Sequence, residues 1–285
     1  MFKTLKLSCF YLFSYCAAAQ TSLSADYVKA LHESRERMFN EDFEGARAAA
    51  FEASRIAPND PESYELFSTV IIADLRRKLG VFQGERVRDL SRLDGLTDEI
   101  GLCDQQIFFG ISKALQYLAK PGQQDDERAR FLLARLHANR LWLILQILGE
   151  HKGYGDYRNA RNIAEAILKQ DPFNARVLVL LGWINYSIGS QGFFTRTLLR
   201  LGWVTGDVQV ALAYFRRAVS AACDRWEKAE AQFSLLSALL SEKQWKEAHE
   251  LAVGLSRDFP ANRRLSEQAQ MACKSAHCPL RPHVR

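Results

Sequence analysis

Cys273, His277 and Cys278 gather two thiols and an imidazole in one short C-terminal stretch, a set that could ligate a soft metal ion or close a small loop through the thiols. Three ligands fall short of the four that a closed zinc site takes, so a disulfide or free thiols are favoured over metal. The other histidines are scattered. No His-Glu-x-x-His pair shares a helix face, and no Gly-x-Ser-x-Gly turn presents a nucleophile. Gly101, Gly110, Gly122 and the Gly153-Tyr154-Gly155 turn lack both the spacing and the preceding strand of a phosphate-cradling loop. The paired carboxylates Glu41-Asp42 and Asp125-Asp126 stand where helices should begin, at the positive end of the helix dipole. Asp171, just before Pro172, suits a turn. No side chain reads as a general acid or base, so the expectation is a protein without catalysis, cofactor or metal.

The elements that carry these residues are expected to be helices. Of 285 residues, 48% are apolar and 25% charged, an ordinary globular balance. Only seven prolines and sixteen glycines punctuate the chain, and the glycines rarely form the turn pairs of β-hairpins. The first residues run Lys3, Lys6, an apolar stretch from Leu7 to Tyr15, then Ala17-Ala18-Ala19, the order of a secretory signal peptide cut after Ala19. The stretch is shorter than the ~20 apolar residues of a spanning helix. Phe13 and Tyr15 place bulky rings before Cys16, which disfavours lipid attachment there. Loss of Lys3 and Lys6 lowers the formal charge from +5 by two, too weak a surplus to point to nucleic acid. Cys103, Cys223, Cys273 and Cys278 remain, an even number that an exported protein could pair.

A degenerate repeat lies beneath the composition. An aromatic or β-branched residue is followed by mostly small residues at +3, +7 and +10, with a proline at +15. The copies read Phe43, Ala46, Ala50, Ala53, Pro58; Tyr157, Ala160, Ala164, Ile167, Pro172; Val208, Ala211, Phe215, Ala218, with Cys223 replacing proline; and Trp245, Ala248, Ala252, Leu255, Pro260. These offsets make one stripe on a helix, small side chains allow close helix approach, and proline ends the helix. Together with Leu181-Gly182, Tyr186 and Gly206-Asp207, the pattern resembles the tetratricopeptide repeat (TPR) family, most strongly from about Arg128 to Leu265. That resemblance implies an all-α, right-handed solenoid of antiparallel helix hairpins.

The expected organisation is a signal peptide over 1–19, a helical region with one degenerate hairpin over 20–125, hairpins over 126–265, and a tail over 266–285. Between Pro61 and Lys120 the copies lapse. The periodicity there gives a helix over Pro61–Leu79, a loop or short helix from Gly80 to about Asp94, and a helix over Asp98–Leu118. A central buried helix runs from about Asp126 to Gly149. Its apolar run Leu141–Leu145 is not read as a membrane span, because Arg135, His137 and Arg140 precede it. An insert over 189–205 interrupts the third hairpin and carries Phe193, Phe194, Arg196, Arg200 and Trp203. As a helix it would be amphipathic, either lidding the neighbouring hairpin or touching a partner or membrane surface.

In a TPR-like solenoid the first helix of each hairpin lines the concave binding side. Here that side should show Arg176, Val179, Trp183 and Tyr186, then Glu230, Phe233, Ser237 and Leu240. Trp183 and Tyr186 are the leading contacts by residue type. The expected function is a non-catalytic scaffold that binds a protein or peptide in a bacterial periplasm or cell envelope, with no nucleic acid partner. The alternative is a small-molecule-binding accessory of a transport system, which would need a closed cavity lined by Trp142, Trp183 and Phe233.

Overall fold

The computed structural model describes residues 24–80, 87, 89–148, 153–190 and 204–276. Among them are eleven α-helices and no strand: α1 Ala25–Phe39, α2 Phe43–Ile56, α3 Pro61–Leu79, α4 Thr97–Leu118, α5 Glu127–Trp142, α6 Tyr154–Gln170, α7 Ala175–Gly189, α8 Val208–Ala221, α9 Arg225–Ser241, α10 Trp245–Asp258 and α11 Arg263–Ser275. The chain is all-helical. Local chemistry sets most of the helix starts. Ser24, Asp42, Asp60, Asp126, Asn174, Asp207, Asp224 and Asn262 each accept a bond from a first-turn amide, and Pro61 occupies the first turn of α3, where its missing N–H costs nothing.

Each helix packs against the next in the chain. The repeated small residues form the contacts: Ala46, Ala50, Ala53, Ala160, Ala164, Ala211, Ala218, Ala248 and Ala252 are all fully buried. Where helices cross most closely even a methyl group is too large. A Cβ on Gly182 of α7 would run into the Phe215 ring of α8. The odd-numbered helices also touch in succession, α1 with α3, α3 with α5, α5 with α7 and α7 with α9.

Two regions depart from the sequence expectation, the lapse after Pro61 and the end of the helix begun near Asp126, while the described part of the connection between Gly80 and Asp94 keeps to the loop or short helix expected there. The lapse after Pro61 is one of residue type, not of geometry. α4 returns antiparallel along α3, with Lys78 against Glu99 at one end and Asn59 against Lys113 at the other. Its buried residues Ile100, Cys103, Ile107 and Gly110 keep the +3, +7, +10 spacing without alanine. Of the Gly80–Asp94 connection, Gly80 caps α3 and a 3-10 turn spans Leu90–Leu96; residues 81–86 lie outside the described residues. The helix expected from Asp126 changes winding after Trp142, where Leu143–Ile147 form a π turn, and Gly149 lies outside the described residues. Near that wider turn the Gln146 carbonyl accepts the Val87 amide at 2.9 Å.

The insert leaves and re-enters at one place. A Cβ on Gly206 would come 3.0 Å from the Gly189 amide nitrogen, and one on Gly189 would come 2.7 Å from the Val208 nitrogen. Added chain between these points therefore does not disturb the pairing of α7 with α8.

The two ends of the described chain also meet. Phe39, at the end of α1, stacks on Phe233 at 5.0 Å, meets the tilted Phe259 ring at 5.3 Å and belongs to the C-terminal apolar cluster. Asn262 Nδ2 donates to the Phe39 carbonyl at 2.8 Å, Ala261 N donates to Asn40 Oδ1 at 3.2 Å, and Arg225 pairs with Glu36.

Candidate binding face on the odd-numbered helices

The odd-numbered helices bring an ionic lattice together on their shared side. α1 supplies Arg35, α3 Glu62 and Glu65, α5 Arg128 and Arg135, α7 Arg176, and α9 Glu227 and Glu230, while Asp60 caps α3. Arg35 Nη2 lies 2.5 Å from Glu62 Oε1, and Arg128 Nη2 lies 2.6 Å from Glu62 Oε2 and 2.9 Å from both Asp60 oxygens. Arg135 bridges Glu65, at 3.2 Å, and Glu230. Four separate helices, α1, α3, α5 and α9, are thus cross-linked through charge. Arginine suits these places because one planar group can serve two carboxylates.

Burial makes the lattice electrostatically consequential. It pushes the Glu62 carboxyl up, but the Arg35, Arg176 and Arg128 guanidiniums outweigh it and hold Glu62 well below the usual carboxylate range. Three residues on, the balance reverses. Burial pushes Glu65 up, Arg135 offsets only part of this, and the Glu230 charge adds to it. Glu227 is also raised by burial, against a bond from the Cys223 amide. Burial and the neighbouring Asp60 and Glu62 charges raise the Tyr27 phenol.

The residues expected to meet a partner are distributed unequally. Val179 and Tyr186 lie in the core, 1% and 2% exposed, and Tyr186 donates its hydroxyl to Glu242 Oε1 at 3.0 Å. Trp183 is half-buried against the Tyr186 and Phe215 rings, and its indole donates to Ser234 Oγ at 3.0 Å. Phe233 is half-buried between Phe39 and Phe259. Leu240 is buried and Ser237 half-buried. Packing of α7 on both α8 and α9 buries Val179 and Tyr186 and covers part of Trp183, a tertiary contact that residue type does not announce. Arg176 differs. Its guanidinium stacks 4.3 Å over the Phe131 ring and makes no ion pair among the described residues.

Phe193, Phe194, Arg196, Arg200 and Trp203 lie outside the described residues, as do Ala19, His277 and Cys278. Cys273 is buried in α11. Trp142 belongs to the N-terminal apolar cluster beneath Arg76, whereas Trp183 and Phe233 belong to the C-terminal one, so the three line no common cavity. Two surface depressions, about 370 and 520 Å³, are lined by other residues, Arg77, Arg263 and Arg264 in one and Arg161, Asn185 and Tyr214 in the other. Among the described residues no helix is long and apolar enough to cross a membrane.

No protein-family model matches the chain, and no curated protein matches it in sequence. The lattice was the feature that sequence reasoning missed, apart from Arg176 and Glu230. Its available signal was charge at helical spacing inside otherwise apolar first helices: Glu62 and Glu65, Arg128 and Arg135, Glu227 and Glu230.

Proposed function

We propose that this chain is a non-catalytic scaffold of TPR-like hairpins, wound as a right-handed solenoid, that binds a protein or peptide partner in the cell envelope after export. The observation that carries this reading is the order of contacts: odd-numbered helices touch one another in succession while each even-numbered helix packs on its chain neighbours. Stacked hairpins have that order, and it gathers one helix face per hairpin onto one continuous side. On that side Arg176 stacks over the Phe131 ring and makes no ion pair among the described residues, with half-buried Trp183 two turns further along α7, and it suits an acidic side chain or terminal carboxylate of an extended segment. The leader ending at Ala19 supports export, and N-terminal sequencing of the exported protein should begin at Gln20.

The binding test is site-specific photo-crosslinking in cells, with the reactive residue at Arg176 or Trp183 and a control at exposed Phe51 on α2. A discrete adduct from the first two positions, lost when Arg176→Ala is added to the Trp183 probe, is the expected result. Equal labelling from Phe51, or none from either test position, would count against this face.

A further inference from the structure

α4 has two faces that differ in kind. Ile100, Cys103, Ile107, Gly110 and Ala114 turn inward. On the opposite side Phe108 is 65% exposed, Leu115 51%, Phe109 41% and Leu102 37%. Four of the nine large apolar side chains exposed among the described residues therefore sit on this one helix, with Gly101, Gln105, Ser112 and Gln116 between them. No charge falls within the strip. Asp104 and Lys113 flank it on opposite edges, drawn towards Arg140 at 3.7 Å and Asn59 at 2.9 Å.

Gly101 adds an independent observation. A glycine inside a helix costs about 1 kcal/mol relative to alanine. Gly110 has a reason, since a Cβ there would sit 2.7 Å from a Leu136 methyl and 3.1 Å from Tyr64 Cβ. Nothing lies within 4 Å of a Cβ built on Gly101. It leaves a notch on the solvent side that no contact among the described residues explains.

We propose that the α4 face from Gly101 to Gln116 pairs antiparallel with the same face of a second copy of this chain. Reversed about the point between Phe108 and Phe109, the strip maps onto itself: Leu102 comes level with Leu115, Gln105 with Ser112, and Gly101 with Gln116. Twofold antiparallel pairing sets each edge beside its own counterpart. Phe108 then meets Phe108, Phe109 meets Phe109, and Leu115 of one copy drops beside the Gly101 notch of the other. The two Asp104 carboxylates stay about 13 Å apart along the axis, as do the two Lys113 ammoniums, so no like charges are forced together. A strip without basic residues gives an anionic membrane little to attract. The four large side chains expose roughly 350 Å² per copy, so pairing with the polar margin buries on the order of 1,000 Å² in total, the size of a weak, reversible dimer.

The test is sedimentation equilibrium of the full chain from about 1 µM to about 500 µM, a range that brackets the dissociation constant expected of so small an interface. The mass should rise from one chain towards two. Phe108→Glu should hold it at one chain throughout, with circular dichroism and melting unchanged because the residue faces solvent. Register is tested by two double variants. Gln105→Glu with Ser112→Glu sets acids opposite each other and should abolish pairing, while Gln105→Glu with Ser112→Lys should retain it. A chain that stays single at every concentration, or double variants that associate equally, would overturn the proposal. So would a chain that stays single in solution yet sediments with phosphatidylcholine vesicles, an outcome that assigns the face to lipid.

Discussion

Replacing Glu62 by glutamine keeps the volume of the side chain and removes its charge from between two arginines. Arg128 retains Asp60 at 2.9 Å, but Arg35 makes no other ion pair among the described residues, and its side chain is only 18% exposed. Breaking a buried pair by removing one partner costs about 3–5 kcal/mol. Because Arg128 keeps a carboxylate and no cavity opens, the lower end applies, about 3 kcal/mol. Urea unfolding at pH 7 followed by circular dichroism should show that loss as a lower midpoint with an unchanged slope. Adding Arg35→Met removes the stranded cation and should recover part of the stability. Acid titration gives a second reading. Folded Glu62 holds its charge far below the ordinary value of 4.5, so the unfolded chain takes up that proton first. Its contribution is therefore complete above pH 4.5 and is lost as the pH falls below it, a loss that Glu62→Gln should remove from the profile. Glu65 runs the other way. With its folded carboxyl raised, its contribution is complete below 4.5 and is lost as the pH rises through the raised folded value, and Glu65→Gln should cost less than Glu62→Gln does. If Glu62→Gln lies within about 0.5 kcal/mol of the parent, the lattice does not hold the odd-numbered helices together and the reasoning fails.

Gly182→Ala should destabilise by about 1–2 kcal/mol, since forcing a methyl into Phe215 outweighs the gain in helix propensity; Phe215→Leu in the same chain should relieve it on thermal melting. Lys243 takes a left-handed backbone at φ 58° between α9 and α10, so Lys243→Gly should raise the urea midpoint, by about 0.5–1 kcal/mol. Asn262→Ala removes the α11 cap and leaves the Phe39 carbonyl buried without its donor, a loss of about 2–3 kcal/mol. Hydrogen exchange should then quicken at the end of α1, far away in sequence, whereas acceleration confined to α11 would mean that the two ends are not coupled.

The stripes Phe43–Ala53, Tyr157–Ile167, Val208–Ala218 and Trp245–Leu255 were legible in the sequence because they obey local rules. Helical period, caps and a breaker all lie within a few residues of one another, and so does the carboxylate chemistry at helix starts. α4 was placed as a helix but not as the second half of a pair. Its inward positions keep the spacing while substituting Cys103, Ile107 and Gly110 for alanine, and spacing without composition is a weak signal.

What tertiary structure decided were the properties that depend on residues far apart in the chain. Tyr186 and Trp183 look alike as binding residues by type, yet Tyr186 is buried and Trp183 keeps only part of its ring exposed. Glu62 and Glu65 are three residues apart on one helix and look alike, yet one is held well below and the other above the ordinary range. The difference is which guanidiniums α1, α5 and α7 bring to each. The packing of Phe39 against Phe233 and Phe259 likewise joins opposite ends of the described chain. A helix arises from neighbours within about a turn and can be read from order, whereas a Coulomb interaction or a buried ring depends on distances that exist only once the chain has folded.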